Sequence, residues 1–243
     1  MTSHIPVQEL NDWYDRLTVE IIERVCEPDS CCLDIGAGGG EILTHMRRAA
    51  PRGRHLAVEP LPHYAEQLRG DFPEVTVWQA AAAATAGRDS FVHVVSNPGY
   101  SGLRRRPYDR ADETLVEIAV DTVRLDDVVP DGTRLDLVKV DVEGGEVGAL
   151  RGAAELLRRQ RPVVVFEHGG DHAMRDYGTT SDDLWALLVD DLGYTLYTLS
   201  AWLAAEPGLD RAAFADELRA QWYFVADHEP PSARSLRGEV TPS

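Results

Sequence analysis

The stretch Cys31-Cys32-Leu33-Asp34-Ile35-Gly36-Ala37-Gly38-Gly39-Gly40-Glu41 limits what this chain can fold into more than any other. It reads as a buried strand that runs into a glycine turn and then opens a helix on Ile42, Leu43 and Met46. Glycines at 36, 38 and 40 permit positive φ and let the backbone approach a ligand closely, while the helix start beyond them offers unpaired N–H groups. Asp34 closes the strand on the same edge. The next strand, His55-Leu56-Ala57-Val58, ends in Glu59-Pro60, which places a carboxylate where it can accept both hydroxyls of a ribose.

Together these two features predict an adenosine-bearing cofactor. The dinucleotide fingerprint G-x-G-x-x-G is not met, because counting from Gly36 its last glycine falls on Glu41, and a carboxylate there faces a pyrophosphate badly. The pattern suits a ligand without phosphate, of which S-adenosylmethionine (SAM) is the common one. Expected contacts are Asp34, Gly36, Ala37, Gly38, Gly40, Glu59 and Pro60. A third strand, Val75 to Trp78, leads into Gln79 and the alanine run Ala80 to Ala84. Small side chains there would leave a slot for adenine with Gln79 at its edge; a helix-prone linker is the alternative.

At 243 residues the chain is long enough for one α/β domain, expected over 1–228, and residues 229–243 read as a flexible tail. No apolar run approaches the roughly 18 residues that a membrane span needs, and the opening MTSHIPVQEL lacks the pattern of a secretory signal, so a cytoplasmic protein with no membrane partner is expected. A net charge of −17 disfavours nucleic acid, and the basic run Arg104-Arg105-Arg106 is flanked by Asp109, Asp112 and Glu113. Cys26, Cys31 and Cys32 have no metal-ligand spacing and read as reduced core thiols.

Helical and strand patterns alternate along the chain. An amphipathic helix, Val7 to Val25, precedes the glycine turn. Two apolar segments, Phe91 to Val95 and Leu115 to Val120, bracket a polar loop that begins at Ser96. Leu135 to Val140 forms a strand that ends in Asp141-Val142-Glu143-Gly144-Gly145, and a helix follows from Glu146 to about Arg159. Pro162 to Phe166 is an apolar central strand tipped by Glu167-His168, and Ser181 caps a helix to Leu192. Tyr194 to Leu199 and Gln221 to Val225 are the last strands, separated by a helical insertion, Ala201 to Ala220. The alternation implies a doubly wound, mostly parallel sheet that binds ligands at the carboxyl ends of its strands, where Asp34, Glu59, Asp141, Glu143, Glu167 and His168 all fall.

The run Leu137-Val138-Lys139-Val140-Asp141-Val142-Glu143-Gly144-Gly145-Glu146, followed by Leu150-Arg151-Gly152-Ala153, resembles the signature of the FkbM family of SAM-dependent methyltransferases. DIGAGGG, VEPLPHY, the Ser101-Gly102-Leu103 loop, VRLDDVV and VVVFEH match other marks of that family, over about Ser30 to Leu199. One departure is Gly39, where the family usually has asparagine. The resemblance implies the class I methyltransferase (Rossmann-like) fold, seven-stranded with the last strand antiparallel. It also implies methyl transfer from SAM to a hydroxyl of a small molecule, usually a sugar or secondary metabolite. The amino-terminal helix, the Ser96 to Asp112 loop and the insertion 201–220 are then the substrate cover.

A protonated alcohol is a poor nucleophile, so a base or a metal ion must deal with its proton. His168 is the first choice as base, with Asp141 and Glu143 as alternatives; the plainer role for His168 is to cap its strand. Asp141, Glu167 and His168 could converge on one divalent cation, which Asp171, His172 and Asp176 could join. The competing arrangement has Asp141 holding the cofactor's amino-acid end and Glu143 capping the next helix. Lys139, inside its strand, needs a carboxylate partner. Two other functions fit less of the pattern: a nicotinamide-dependent oxidoreductase and a non-catalytic SAM-binding protein.

Overall fold

The computed structural model describes residues 7–106, 108, 112–168, 174–229 and 231. Among these residues ten strands form: β1 (Cys32–Ile35), β2 (Leu56–Val58), β3 (Thr76–Trp78), β4 (Ala81–Ala82), β5 (Gly87–Val94), β6 (Leu115–Val123), β7 (Leu137–Val140), β8 (Val163–Glu167), β9 (Thr195–Thr198) and β10 (Tyr223–Asp227). The helices are α1 (Val7–Val25), α2 (Glu41–Ala49), α3 (Pro62–Asp71), α4 (Leu125–Val128), α5 (Glu146–Arg151), α6 (Ala154–Gln160), α7 (Ser181–Trp185), α8 (Leu199–Leu203) and α9 (Arg211–Glu217).

Seven strands make the main sheet, in the order β3-β2-β1-β7-β8-β10-β9. All pairings are parallel except those of β10, which runs antiparallel to both β8 and β9. This is the class I methyltransferase arrangement. Alternate residues of the central strands point to opposite faces. Leu33, Ile35, Val138, Val140, Val164 and Phe166 enter one core with the apolar sides of α5, α6 and α7, whereas Cys32, Leu137, Val163 and Val165 enter the other with those of α1 and α2. From β1 the chain winds outward to β3 and then returns to β7 on the other side of β1. The order therefore reverses between β1 and β7, where such sheets open a crevice at their carboxyl edge.

Three segments differ from the sequence expectation, and the stretches around Phe91 and Leu115, strand-like but outside the seven expected strands, take a place of their own: β5 and β6 pair antiparallel with each other, and β4 adds parallel to β6, giving a second, three-stranded sheet. Both strands bury only part of their length, so neither could lie between two helical layers. The helix from Glu146 is broken into α5 and α6 around Gly152, where a side chain would overlap the carbonyl oxygen of Ala83. Thr180, rather than Ser181, caps α7, in a reciprocal capping box with Asp183, and the helix continues as a π turn over Ala186–Asp191. The 201–220 insertion is two short helices, α8 and α9, with Leu209 bridged to Leu196 between them. Apart from Glu229 and Pro231, the tail lies outside the described residues. Among those residues no helix is long and apolar enough to cross a membrane.

Candidate active site

A cleft of about 1160 Å³ runs along the carboxyl edge of the main sheet. Gly36, Gly38, Glu59, Pro60, Ala80, Asp141, Glu143 and His168 all border it, so most of the expected site residues meet in one place. The glycine turn is close-packed. Gly36 has φ +78°, and a Cβ there would overlap the carbonyl oxygen of Asp141, so only a bare backbone lets β1 and β7 diverge this narrowly.

Glu59 is held by the turn it faces. One carboxylate oxygen accepts the Gly38 N–H at 2.9 Å and the other the Leu61 N–H at 2.8 Å. Each oxygen keeps a second lone pair for a ligand. Burial pushes this carboxyl up to about 7, and the two backbone N–H groups restrain the rise. Ala80, Ala81 and Ala82 border the cleft and are buried, as the adenine slot requires; Gln79 is exposed and does not border it.

Three other expected contacts lie behind the cleft wall. Ala37 is buried, and a side chain at Gly40 would meet Phe72 and Leu68, so that glycine serves helix packing. Asp34 is fully buried, neither carboxylate oxygen has a hydrogen-bond partner, and burial pushes it up to about 6. Its register neighbour on β7 is Lys139, whose charge opposes that rise.

At the tips of β7 and β8, oxygens of Asp141, Glu143 and Glu167 lie within 4.8 Å of one another. Asp141 Oδ2 accepts hydrogen bonds from Lys139 Nζ at 2.9 Å and from the Tyr223 hydroxyl at 2.7 Å. Burial works to raise the Asp141 carboxyl, but Lys139 and hydrogen bonds from Glu167 and Tyr223 outweigh it and hold it below the ordinary range. Glu143 pairs with Arg106, whose guanidinium also lies 4.8 Å from the centre of the Tyr100 ring. Burial nevertheless lifts Glu143 well above the usual range, and burial with the neighbouring charges of Asp141 and Glu143 does the same for Glu167. Glu143 is not glycine, yet it has φ +59°, a strained backbone that the DVEGG turn imposes.

Glu143 does not cap the next helix, whose start has no side-chain cap; Glu146 instead braces the turn before it, its Oε1 accepting from the N–H groups of Val142 and Gly144. His168, the first choice as base, turns away from the cluster: its ring Nε2 is bonded to Ser181 at 3.1 Å, and the ring meets Phe214 and Phe224 edge-on. A cation could be bridged by Asp141, Glu143 and Glu167, but not with the His168 ring in this orientation. Two of the three carboxylates already have cationic partners, Lys139 and Arg106. Asp176 does not border the cleft, and Asp171 and His172 lie outside the described residues.

Sequence reasoning assigned the amino-terminal helix, the 96–112 loop and the insertion to the cover without singling out Asn11, Asp15, Tyr100 or Arg219, which border the cleft, and it missed Trp222 and Tyr223 altogether. Tyr223 is brought to Asp141 by β10, and α1 is fixed against that end of β10 through Tyr14, whose hydroxyl accepts the Trp222 N–H at 2.9 Å. No short motif marks these contacts, because each joins segments far apart in the chain.

These pKa directions predict a pH dependence. Glu59 and Glu146, both near 7 when folded, bind their protons more tightly folded than unfolded, so the stability they contribute when protonated is lost as pH rises through 7. Between pH 6.5 and 8.5 the ligand-free protein is expected to lose about 1 to 2 kcal/mol. His55, His93 and His228, pushed down by burial, act in the opposite direction, mainly below pH 6.5. Urea unfolding at the two pH values checks this; equal or greater stability at 8.5 would contradict it.

Comparison with known proteins gives a consistent picture. A family model described as the methyltransferase FkbM domain matches residues 34–196. Methyltransferase sdnD of Sordaria araneosa is 31% identical over 155 residues, 51% of this chain and 60% of that protein. The 2-O-methyltransferase NoeI of Sinorhizobium fredii is 27% identical over 162 residues, 60% of this chain and 66% of that protein. The chain thus spans less than two thirds of the length of either relative. A solved FkbM methyltransferase from Methylobacillus flagellatus aligns with a TM-score of 0.49 at 18% identity, over 86% of this chain and 50% of that one.

Proposed function

Because the chain belongs to the FkbM methyltransferase family, we propose that it transfers a methyl group from SAM to a hydroxyl oxygen of a small molecule. The observation that carries this reading is the single cleft in which Gly36, Gly38 and Glu59 face the same space as Asp141, Glu143 and Glu167. Its volume exceeds the range usual for one small ligand, so donor and acceptor fit side by side. SAM, when bound, supplies an electrophilic methyl on a sulfonium.

The chain's own residues fit that group. Glu59 offers a fixed carboxylate to a ribose diol, the bare backbone at Gly36 and Gly38 allows close approach, and Ala80 to Ala82 leave a flat wall. Glu41 stands beside the glycine turn, and Asp15 borders the same cleft, which disfavours the pyrophosphate of a nicotinamide dinucleotide. Asp141, anchored by Lys139 and Tyr223, is the least basic of the acidic cluster. Glu143 and Glu167, held above the usual carboxylate range by burial, flank it as hydrogen-bonding groups for the acceptor hydroxyl. Asn11, Asp15, Tyr100, Arg106, Arg219 and Trp222 supply the acceptor side, so α1, the 97–106 loop and the segment after α9 form the substrate cover.

Calorimetry with S-adenosylhomocysteine tests the cofactor assignment. Glu59→Ala is expected to weaken binding about 10- to 100-fold, the loss of charge-assisted bonds to two hydroxyls. Unchanged affinity in a folded variant would remove Glu59 from the site. Magnesium is expected to leave the affinity unaltered, since Lys139 and Arg106 already offset two of the three clustered carboxylates; strong enhancement by the ion would instead favour a metal-assisted reaction.

A further inference from the structure

The Ser101-Gly102-Leu103 loop has no part in the chemistry above, yet it is built into the fold with some care. Gly102 is bridged antiparallel to Val92 of β5: the Val92 N–H donates to the Gly102 carbonyl at 2.8 Å, and the Gly102 N–H donates back at 3.2 Å. The loop thus runs as a short extra strand beside β5, and successive residues of such a strand point to opposite sides. Gly102 faces the acidic cluster, since a Cβ there would lie 2.9 Å from the Tyr177 hydroxyl and 3.6 Å from Glu143 Cβ. Ser101 and Leu103 face the other way.

On that other side lies a slot. Leu61, Tyr64, Ala81, Phe91 and Leu103 pack as one apolar cluster, and all five border the cleft, as does Ser101. The slot begins two residues past Glu59, whose carboxylate accepts the Leu61 N–H at 2.8 Å and is the group offered to the ribose diol. A nucleoside anchored there by its sugar brings its base against these apolar walls. In a site of this kind a few fixed polar groups set orientation and selectivity. Ser101 supplies one. It is buried, its oxygen accepts the Val94 N–H at 3.0 Å, and among the described residues no acceptor takes its own hydrogen. A hydroxyl can accept and donate at once, so the bond from Val94 fixes the oxygen and leaves a donor for whatever fills the slot.

We propose that Ser101 is a base-recognising residue of the cofactor site, its hydroxyl donating a hydrogen bond to a ring nitrogen of adenine in a slot that the second sheet closes. The inference rests on the SAM reading above. It divides the 97–106 loop between two tasks: Ser101 and Leu103 serve the cofactor, and Tyr100 and Arg106 serve the acceptor. The second sheet is then part of the cofactor site, because β4 and β5 supply Ala81 and Phe91 and carry the loop.

The test is calorimetry with S-adenosylhomocysteine and its 1-, 3- and 7-deaza forms, in each of which a C–H replaces one ring nitrogen of the base. On the wild-type protein at least one deaza form is expected to bind about 5- to 10-fold more weakly than the parent compound. In Ser101→Ala that deaza form and the parent are expected to bind alike. A merely structural role, through the freed Val94 N–H, would weaken all four ligands by one factor and leave their ratios in place. Ser101→Cys, which keeps a weak acceptor for Val94 and loses the strong donor, gives the same comparison should the alanine variant fail to fold. Three deaza forms that match the parent on the wild-type protein, or ratios that persist in the variants, would overturn the inference and leave the SAM reading standing. Binding of none of the four ligands to the wild-type protein would remove both.

Discussion

Gly36→Ala is expected to lose about 4 kcal/mol of folding stability together with all measurable cofactor binding, an effect at the upper end of what single substitutions do. Two costs combine. Positive φ disfavours any side chain by about 1 to 2 kcal/mol, and the added Cβ would overlap the Asp141 carbonyl, forcing β1 and β7 apart where the cleft opens. Gly38→Ala is the control. It also has positive φ, but the nearest atom to a Cβ there is a Glu41 carboxylate oxygen at 3.9 Å, so only the backbone term of about 1 to 2 kcal/mol applies. Urea denaturation of both variants separates the terms, and equal losses would show that contact with β7 does not matter.

Lys139→Met should be nearly as damaging. The ammonium is buried, contacts Asp141 at 2.9 Å, and stands beside Asp34, whose oxygens have no hydrogen-bond partner. Burial alone would push the lysine down, but Asp141 and Asp34 outweigh it and hold it above its ordinary value. Without it, the buried Asp34 and the partly buried Asp141 share no cation, and about 3 to 5 kcal/mol should disappear at pH 8. In the variant both acids would have folded pKa values above their unfolded ones, so the deficit should shrink as pH falls toward 5 and they become neutral. A variant within about 1 kcal/mol of the parent at pH 8 would show that Lys139 is not the counter-charge.

Much of this arrangement was legible in the chain because it depends on local rules. The glycine turn, the carboxylates that tip β1, β2, β7 and β8, and the strand–helix alternation each follow from residues within about ten positions. Gly36, Gly38, Glu59, Asp141 and Glu143 reached the cleft as expected for that reason. What local pattern could not supply was direction. Asp34 sits on β1 with its side chain turned toward Lys139, one strand over, and His168 follows β8 by one residue yet engages Ser181 on α7. Whether a residue faces ligand or core is decided by which neighbour pairs with it. The second sheet was hidden for a related reason: β5 and β6 have strand-like composition, and only their partial burial distinguishes a peripheral hairpin from a central pair. Arg106 was visible only as part of a basic run, since its meaning comes from Glu143, 37 positions away.

The left-handed backbone at Glu143 has a consequence for engineering. A glycine there would relax the turn by about 1 kcal/mol, and it would spare the fold a buried, proton-binding carboxyl. Libraries sorted for heat tolerance alone would thus be drawn toward glycine at position 143, and their hardiest winners would emerge with one carboxylate fewer in the cleft.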